Sequence, residues 1–209
     1  MQGKQGQKEK DQRAKYKSKP TAVPNPDSPF MTKKPLSNLP SNDKIAEALD
    51  EHLKKTNFLK YPTFKELQKI VTAKDFPWYY IESRGEPEQY NNLLYYDHEF
   101  SKDVTPKLKR ILGTICLQLG AIAVLRINVN STPRNAPEQT WHVDWELTTP
   151  SKTCVFYLND NDGYTEFKDS KIDSVANTAV IFDTNIEHRG VPPTNVDRRL
   201  VLNINYFEK

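Results

Sequence analysis

The run Trp141-His142-Val143-Asp144-Trp145 places an imidazole and a carboxylate two residues apart. On an extended strand such residues project from one side. His142 and Asp144 are therefore expected to point together while Val143 and Trp145 pack the other way. That pair offers two neighbouring ligands of the kind a divalent transition metal accepts. By itself a His-x-Asp is a short pattern that arises readily by chance in a chain with four histidines. His188 supplies a third ligand, between an apolar strand expected at residues 178–182 and the last strand of the chain. Two histidines and one carboxylate make a facial triad, which holds iron while leaving positions open for other ligands. Zn or Mn would accept the same set. His98, in Tyr95-Tyr96-Asp97-His98, has an acid beside it but no partner at ligand spacing, and it is left out of the site.

The last strand bears on what such a metal would work with. In Arg199-Leu200-Val201-Leu202-Asn203-Ile204-Asn205-Tyr206-Phe207, Leu200, Leu202 and Ile204 form one apolar face suited to packing on helices. Arg199, Val201, Asn203 and Asn205 form the other, so a cation and two amides share a side. An inward-facing arginine needs an anionic partner, and its planar fork suits a carboxylate. Residues 153–158 divide in the same way, with Cys154, Phe156 and Leu158 on one face and Thr153, Val155 and Tyr157 on the other. Tyr157 is thereby a candidate second donor to that carboxylate.

These side chains need a scaffold. Ser41-Asn42-Asp43 offers helix N-cap side chains, and Ile45, Leu49 and Leu53 then recur one turn apart. A second short helix is expected over residues 63–72. Phe76-Pro77-Trp78-Tyr79-Tyr80 breaks any helix and reads as an extended segment pinned to a core or bordering a cleft. Pro106 opens a helix with Leu108, Ile111, Leu112, Ile115 and Leu119 on one face, and Gly120 ends it. Beyond it, short strands are expected at residues 121–129, 140–147, 153–158, 164–167, 171–175, 178–182 and 199–207. Pro, Gly, Asn and Asp break them apart, the pattern of a jelly roll or sandwich. The polar stretch 130–139 reads as a loop bordering the site entrance. Trp78, Tyr79, Trp141 and Trp145 are expected mainly in core packing, with a pocket wall as their other use.

Composition separates an appendage from this domain. Residues 1–40 hold nine Lys or Arg against three Asp or Glu and show no helical or strand period. They read as a disordered basic arm, a solvated tail whose functional alternative is contact with nucleic acid or another polyanion. The expected domain is 41–209, with helical support over 41–120 and a jelly-roll core over 121–209. A net charge of +3 is too mild to make the whole chain a nucleic-acid binder. Cys116 and Cys154 sit in apolar stretches and read as reduced core residues. No early stretch resembles a signal peptide, and no apolar run approaches the roughly 20 residues that span a bilayer. The expectation is a soluble cytoplasmic protein, in which the glycosylation pattern Asn130-Ser131-Thr132 is fortuitous.

His142-x-Asp144, His188 and an arginine opening the last strand resemble the iron- and 2-oxoglutarate-dependent dioxygenases, in particular the prolyl 4-hydroxylase-like branch with its small bacterial and phage versions. The resemblance covers about residues 121–207. It includes Cys154-Val155-Phe156-Tyr157-Leu158-Asn159 followed by Asp162-Gly163-Tyr164-Thr165-Glu166-Phe167, similar to that branch's YLN…GGxTxF passage. It implies a mainly β, α+β fold: a double-stranded β-helix, or jelly roll, with N-terminal helices packed on it. Fe(II) would be held by His142, Asp144 and His188. Arg199 would pair with the distal carboxylate of 2-oxoglutarate, and Tyr157 would hydrogen-bond to it. The implied reaction is hydroxylation of a C–H bond, of a peptide or protein side chain such as proline, using O2 and releasing succinate and CO2, with ascorbate in support. Two departures stand out. Asp162-Gly163 replaces a glycine pair, and Arg198 competes with Arg199, although face alternation favours Arg199. The other readings are a non-catalytic metal-binding jelly roll and a dioxygenase acting on a small metabolite or nucleobase.

Overall fold

A computed structural model of the chain describes residues 54–81, 89–147 and 149–209. The expected basic arm and the expected helix carrying Ile45, Leu49 and Leu53 lie outside the described residues. The order begins β1 (Lys54–Lys55), α1 (Tyr61–Val71), β2 (Tyr79–Ile81), β3 (Gln89–Tyr96), β4 (Glu99–Phe100) and α2 (Pro106–Leu119). It continues with β5 (Ala121–Pro133), β6 (Lys152–Tyr157), β7 (Tyr164–Phe167), β8 (Lys171–Asp173), β9 (Thr178–Asp183), β10 (His188–Val191) and β11 (Arg198–Glu208).

Helix α2 begins and ends as its sequence dictates. The Thr105 hydroxyl accepts from the Leu108 N–H at 3.2 Å, and Pro106 occupies the first turn, where its missing N–H costs nothing. Gly120 closes the helix at φ 69°, a conformation an L side chain resists. Its apolar face, Leu108 to Leu119, is buried together with Phe64, Leu67 and Val71 of α1.

Both helices pack on an antiparallel sheet ordered β1-β9-β6-β11-β5-β3-β2, with β4 beside β3. The two-residue alternation decides what each face meets. Cys154 and Phe156 of β6 and Leu200, Leu202 and Ile204 of β11 join the helices in one core. Phe58 and Phe64 meet the Phe156 ring edge-on at 5.3 and 5.9 Å. Val155, Tyr157, Val180, Phe182 and Val201 turn the opposite way. There they pack against Phe167 and Ile172 of the second sheet, ordered β10-β7-β8. The result is mainly β, with two helices among the described residues and antiparallel sheets, consistent with a jelly roll.

Three expectations change. Residues 140–147 form no strand: their only ladder contact is an isolated bridge between His142 and His188. The expected loop 130–139 begins instead after Pro133, because β11 pairs with β5 as far as Arg198 opposite Pro133. Asn130 and Thr132 are polar because they line a polar cavity, not because they face water. The aromatic segment splits. Phe76 and Trp78 pack on the core with ring centroids 5.0 Å apart, whereas Tyr79 and Tyr80 are about half exposed at 48% and 51%. Strands β1, β3, β4 and β10 lie outside the expected strands.

Candidate metal centre

The first two ligands come from a segment without strand structure, so their convergence has another cause. His142 exchanges backbone hydrogen bonds with His188, N to O at 3.1 Å and O to N at 2.9 Å, and the Asp144 N–H donates to the Thr184 carbonyl at 3.1 Å. Tethers at every second residue hold the strand-like spacing without a ladder. They set His142 and Asp144 beside His188, the first residue of β10. One ligand atom from each of the three lies within 4.8 Å of the others. The alternation argument fails for Val143, which lines the same cavity.

Both imidazoles are oriented from behind. His142 Nδ1 lies 2.8 Å from the Thr140 carbonyl and His188 Nδ1 lies 3.0 Å from that of Ile186. A carbonyl only accepts, so each Nδ1 carries its proton and each Nε2 keeps a free lone pair for a metal. His188 is wedged against Phe182 at 4.7 Å between ring centroids. Burial holds its pKa below the ordinary value of 6.5, against the opposing pull of Asp144, which favours the neutral ligand form.

Asp144 is held by four donors. Its Oδ2 accepts from Thr153 Oγ1 at 2.8 Å, Asn205 Nδ2 at 3.0 Å and Asn203 Nδ2 at 3.3 Å. Its Oδ1 meets Arg126 at 3.3 Å, which leaves that oxygen the less encumbered one. Burial pushes the carboxyl upward. His188 whenever it is protonated, the Arg126 charge and the Thr153 and Asn205 hydrogen bonds outweigh it, so the group stays below its ordinary 3.8 and remains a carboxylate.

The three ligands open on a cavity of about 340 Å³ that Arg199 also lines. Arg199 is 4% exposed. Its Nε donates to Ser174 at 2.8 Å and one Nη to Thr165 at 2.9 Å, and no acidic side chain among the described residues pairs with it. Burial holds its pKa below the usual arginine value, with Tyr157 opposing. A buried guanidinium facing a cavity without a counter-ion calls for an anionic ligand. Arg198 is exposed on the opposite side, its carbonyl taken by Asn159. Tyr157 is placed differently from expectation. It is fully buried beneath the Arg199 guanidinium, its hydroxyl bonded to Thr165 and the Ile172 carbonyl, and it does not line the cavity. Neither Trp78, Tyr79, Trp141 nor Trp145 lines it either. The Asp162-Gly163 passage explains itself here. A Cβ on Gly163 would come within 2.7 Å of the Val191 carbonyl and 3.0 Å of Arg199 Cδ. Asp162 accepts the Thr194 and Asn195 N–H groups at 2.7 and 3.2 Å and so pins the loop before β11.

Sequence reasoning missed Arg126 and Asn128 and placed Asn130 in a loop at the entrance, whereas all three line the cavity from β5. The signal was present. Arg126, Asn128, Asn130 and Thr132 alternate with the buried Ile127, Val129 and Ser131, and ending the strand at residue 129 hid it. Gln139 belongs to the stretch expected to border the entrance. It bonds Gly190 through its own side chain and backbone and reaches Gln89, closing one rim of the cavity.

No family model and no curated protein matches the sequence. Solved structures do match in three dimensions. A prolyl-4-hydroxylase from Pseudomonas putida superposes with a TM-score of 0.53 at 14% identity, over 79% of this chain and 98% of that one. A prolyl hydroxylase from Trichoplax adhaerens, in complex with a hypoxia inducible factor peptide fragment, gives 0.54 at 14%, over 79% and 88%. A 2OG-Fe(II) oxygenase family oxidoreductase from Burkholderia pseudomallei gives 0.57 at 10%, over 81% and 92%. The chain thus has the fold of these 2-oxoglutarate- and Fe(II)-dependent oxygenase structures.

Proposed function

We propose that this protein is an Fe(II)- and 2-oxoglutarate-dependent dioxygenase built on a double-stranded β-helix. The observation that carries the reading is Arg199: a buried cation, unpaired by any acid among the described residues, in the same cavity as His142, Asp144 and His188. A structural metal site has no need of that cation, whereas a chelating dicarboxylate needs both a metal and a distal cation.

The residues fit both absent groups. The free Nε2 atoms and the Asp144 carboxylate would hold the metal, and Arg199, fixed by Ser174 and Thr165, would take the far carboxylate of 2-oxoglutarate. When bound, these groups supply the oxidation: one atom of O2 enters a substrate C–H bond, and the other enters succinate as CO2 is lost. The chain's own part is placement. Thr140 and Ile186 fix the histidine tautomers, Thr153, Asn203 and Asn205 fix the carboxylate, and the two sheets wall the site. The proposed substrate class is a peptide or protein side chain. Likeness to two prolyl hydroxylases makes proline the first candidate to test.

The test is succinate formation from 2-oxoglutarate under air with Fe(II) and ascorbate. Turnover should vanish in His142→Ala and, in Arg199→Ala, should require at least tenfold more 2-oxoglutarate, since a charge-assisted bidentate contact is worth roughly 1.5–3 kcal/mol. Absence of both turnover and 2-oxoglutarate binding to metal-loaded protein would leave a metal-binding β-roll.

A further inference from the structure

Two arginines line the cavity that the metal ligands share, and they stand far apart along it. In the β11–β5 ladder Arg199 lies opposite Thr132, and Asn205 lies opposite Arg126. The backbone positions are thus separated by roughly 20 Å at about 3.3 Å per residue. Burial tells the two apart. Arg199 is 4% exposed, whereas the Arg126 side chain keeps 27% of its surface. Arg199 therefore marks the closed end, and Arg126 meets whatever enters from solvent.

The hydrogen-bonding capacity of Arg126 is only partly used. Its Nε donates to Asn205 Oδ1 at 3.0 Å and Nη2 to Asp144 Oδ1 at 3.3 Å, while Nη1 makes no hydrogen bond among the described residues. Asp144 is its one acidic partner among them. That carboxylate does not need Arg126 for its orientation, because Thr153 and Asn205 already hold Oδ2 at 2.8 and 3.0 Å. The oxygen that Arg126 touches is the less encumbered one, which a metal would take. A bound cation would draw on the same negative charge and leave Arg126 without a full counter-ion.

The charge of the cavity points the same way. Its ionised lining side chains are Arg126, Arg199 and Asp144, and histidines ligate a metal as neutral rings. A divalent metal and a doubly charged 2-oxoglutarate cancel each other, so one positive charge stays in excess. Both ends of 2-oxoglutarate are already engaged, one at the metal and one at Arg199, so the excess belongs to Arg126. A guanidinium partly withdrawn from water is best matched by a carboxylate, whose two oxygens meet its planar fork.

We infer that the substrate carries a carboxylate, and that Arg126 binds it at the mouth of the cavity so that a neighbouring C–H bond is presented to the metal. This rests on the dioxygenase reading and narrows its substrate to an acid: an aspartyl or glutamyl side chain, or a residue such as proline with a free terminal carboxylate.

The full-length protein, loaded with redox-inert Mn(II) and saturating 2-oxoglutarate, is titrated with pairs of probes that differ only in that charge. The pairs are N-acetyl-aspartate α-amide with N-acetyl-asparagine amide, N-acetyl-glutamate α-amide with N-acetyl-glutamine amide, and N-acetyl-proline with N-acetyl-proline amide. Affinity is followed by calorimetry, and proximity to the metal by paramagnetic broadening of the probe protons. In at least one pair the acid should bind about tenfold more tightly than its amide, the worth of a charge-assisted hydrogen bond, with its protons broadened. Preference within the first two pairs identifies a side chain as the source, and preference within the third a chain terminus. The ratio should fall toward one in Arg126→Gln and stay higher in Arg126→Lys, which keeps the charge. Ratios within a pair do not depend on how much of each variant is folded. No preference for any acid, a preference that Arg126→Gln leaves untouched, or an equal loss in both variants would overturn the assignment. So would an Arg126→Gln protein that no longer binds Mn(II), or one in which only 2-oxoglutarate affinity falls, since Arg126 would then serve the metal or the co-substrate. In each of these cases 2-oxoglutarate binding by the unaltered protein keeps the dioxygenase reading intact, and its absence would overturn both.

Discussion

The centre depends on two groups kept in their deprotonated forms by different means. His188 is neutral because burial disfavours its charge, and Asp144 is ionised because the Arg126 charge and the Thr153, Asn203 and Asn205 donors overcome burial. Both folded pKa values lie below those of the unfolded chain, so both groups bind protons more readily once unfolded. Linkage then gives one sign: the stability they confer is present above the unfolded value and is lost as pH falls. For His188 the loss begins near 6.5, and for Asp144 it begins near 3.8 and continues below. Metal-free protein should therefore show an unfolding midpoint that falls as pH drops below about 6.5, with a second decline in the carboxylate range. His188→Gln should flatten the first phase. A midpoint that rises between pH 6.5 and 5 would show that His188 is stabilised in its charged form, against the burial argument.

At the scale of elements, the approach of β7 to β10 and β11 is set by one glycine. Gly163 has no room for a methyl group, and two of the three nearest atoms belong to the Val191 carbonyl and the Arg199 stem. Backbone at 2.7 Å cannot swing aside as a flexible side chain can. Gly163→Ala should destabilise the fold by about 1–3 kcal/mol, the usual cost of overpacking. It should also weaken 2-oxoglutarate binding by displacing Arg199. The neighbouring Asp162 is exposed and acts on a loop, so Asp162→Ala should leave that binding nearly unchanged. Comparing denaturant midpoints and 2-oxoglutarate affinities of the two variants separates a crowding effect from a generally weakened hairpin. The same geometry shows why this passage departs from the glycine pair it resembles: only the second position is short of space.

For the whole molecule, the basic charge of residues 1–40 is a separate question from the chemistry of the cavity. If that arm contacts a polyanion, deleting it should weaken binding to heparin or single-stranded DNA most visibly at low salt, where counter-ion release drives association. Succinate formation by the shortened chain, residues 41–209, should be unaffected. Unchanged polyanion binding after the deletion would reduce the arm to a solvated appendage.

Local order was legible from the residues because it depends on near neighbours. Pro106 and Gly120 bound α2, and two-residue alternation in β6 and β11 sorts Cys154, Phe156 and Leu202 from Val155 and Val201. Alternation likewise selected Arg199 over Arg198, while residue type, the two-residue spacing of His142 and Asp144 and the position of His188 before the last strand brought those three forward as one set. Tertiary structure decided what depends on register between distant strands. It tied an irregular segment to β10 in place of the expected strand, buried the Tyr157 hydroxyl against Thr165 and the Ile172 carbonyl, and aligned asparagines of β3, β5 and β11 into one wall. Alternation reports which face of a strand a residue occupies. Which residues stand opposite it is set by pairing across the sheet, at separations that no local pattern encodes.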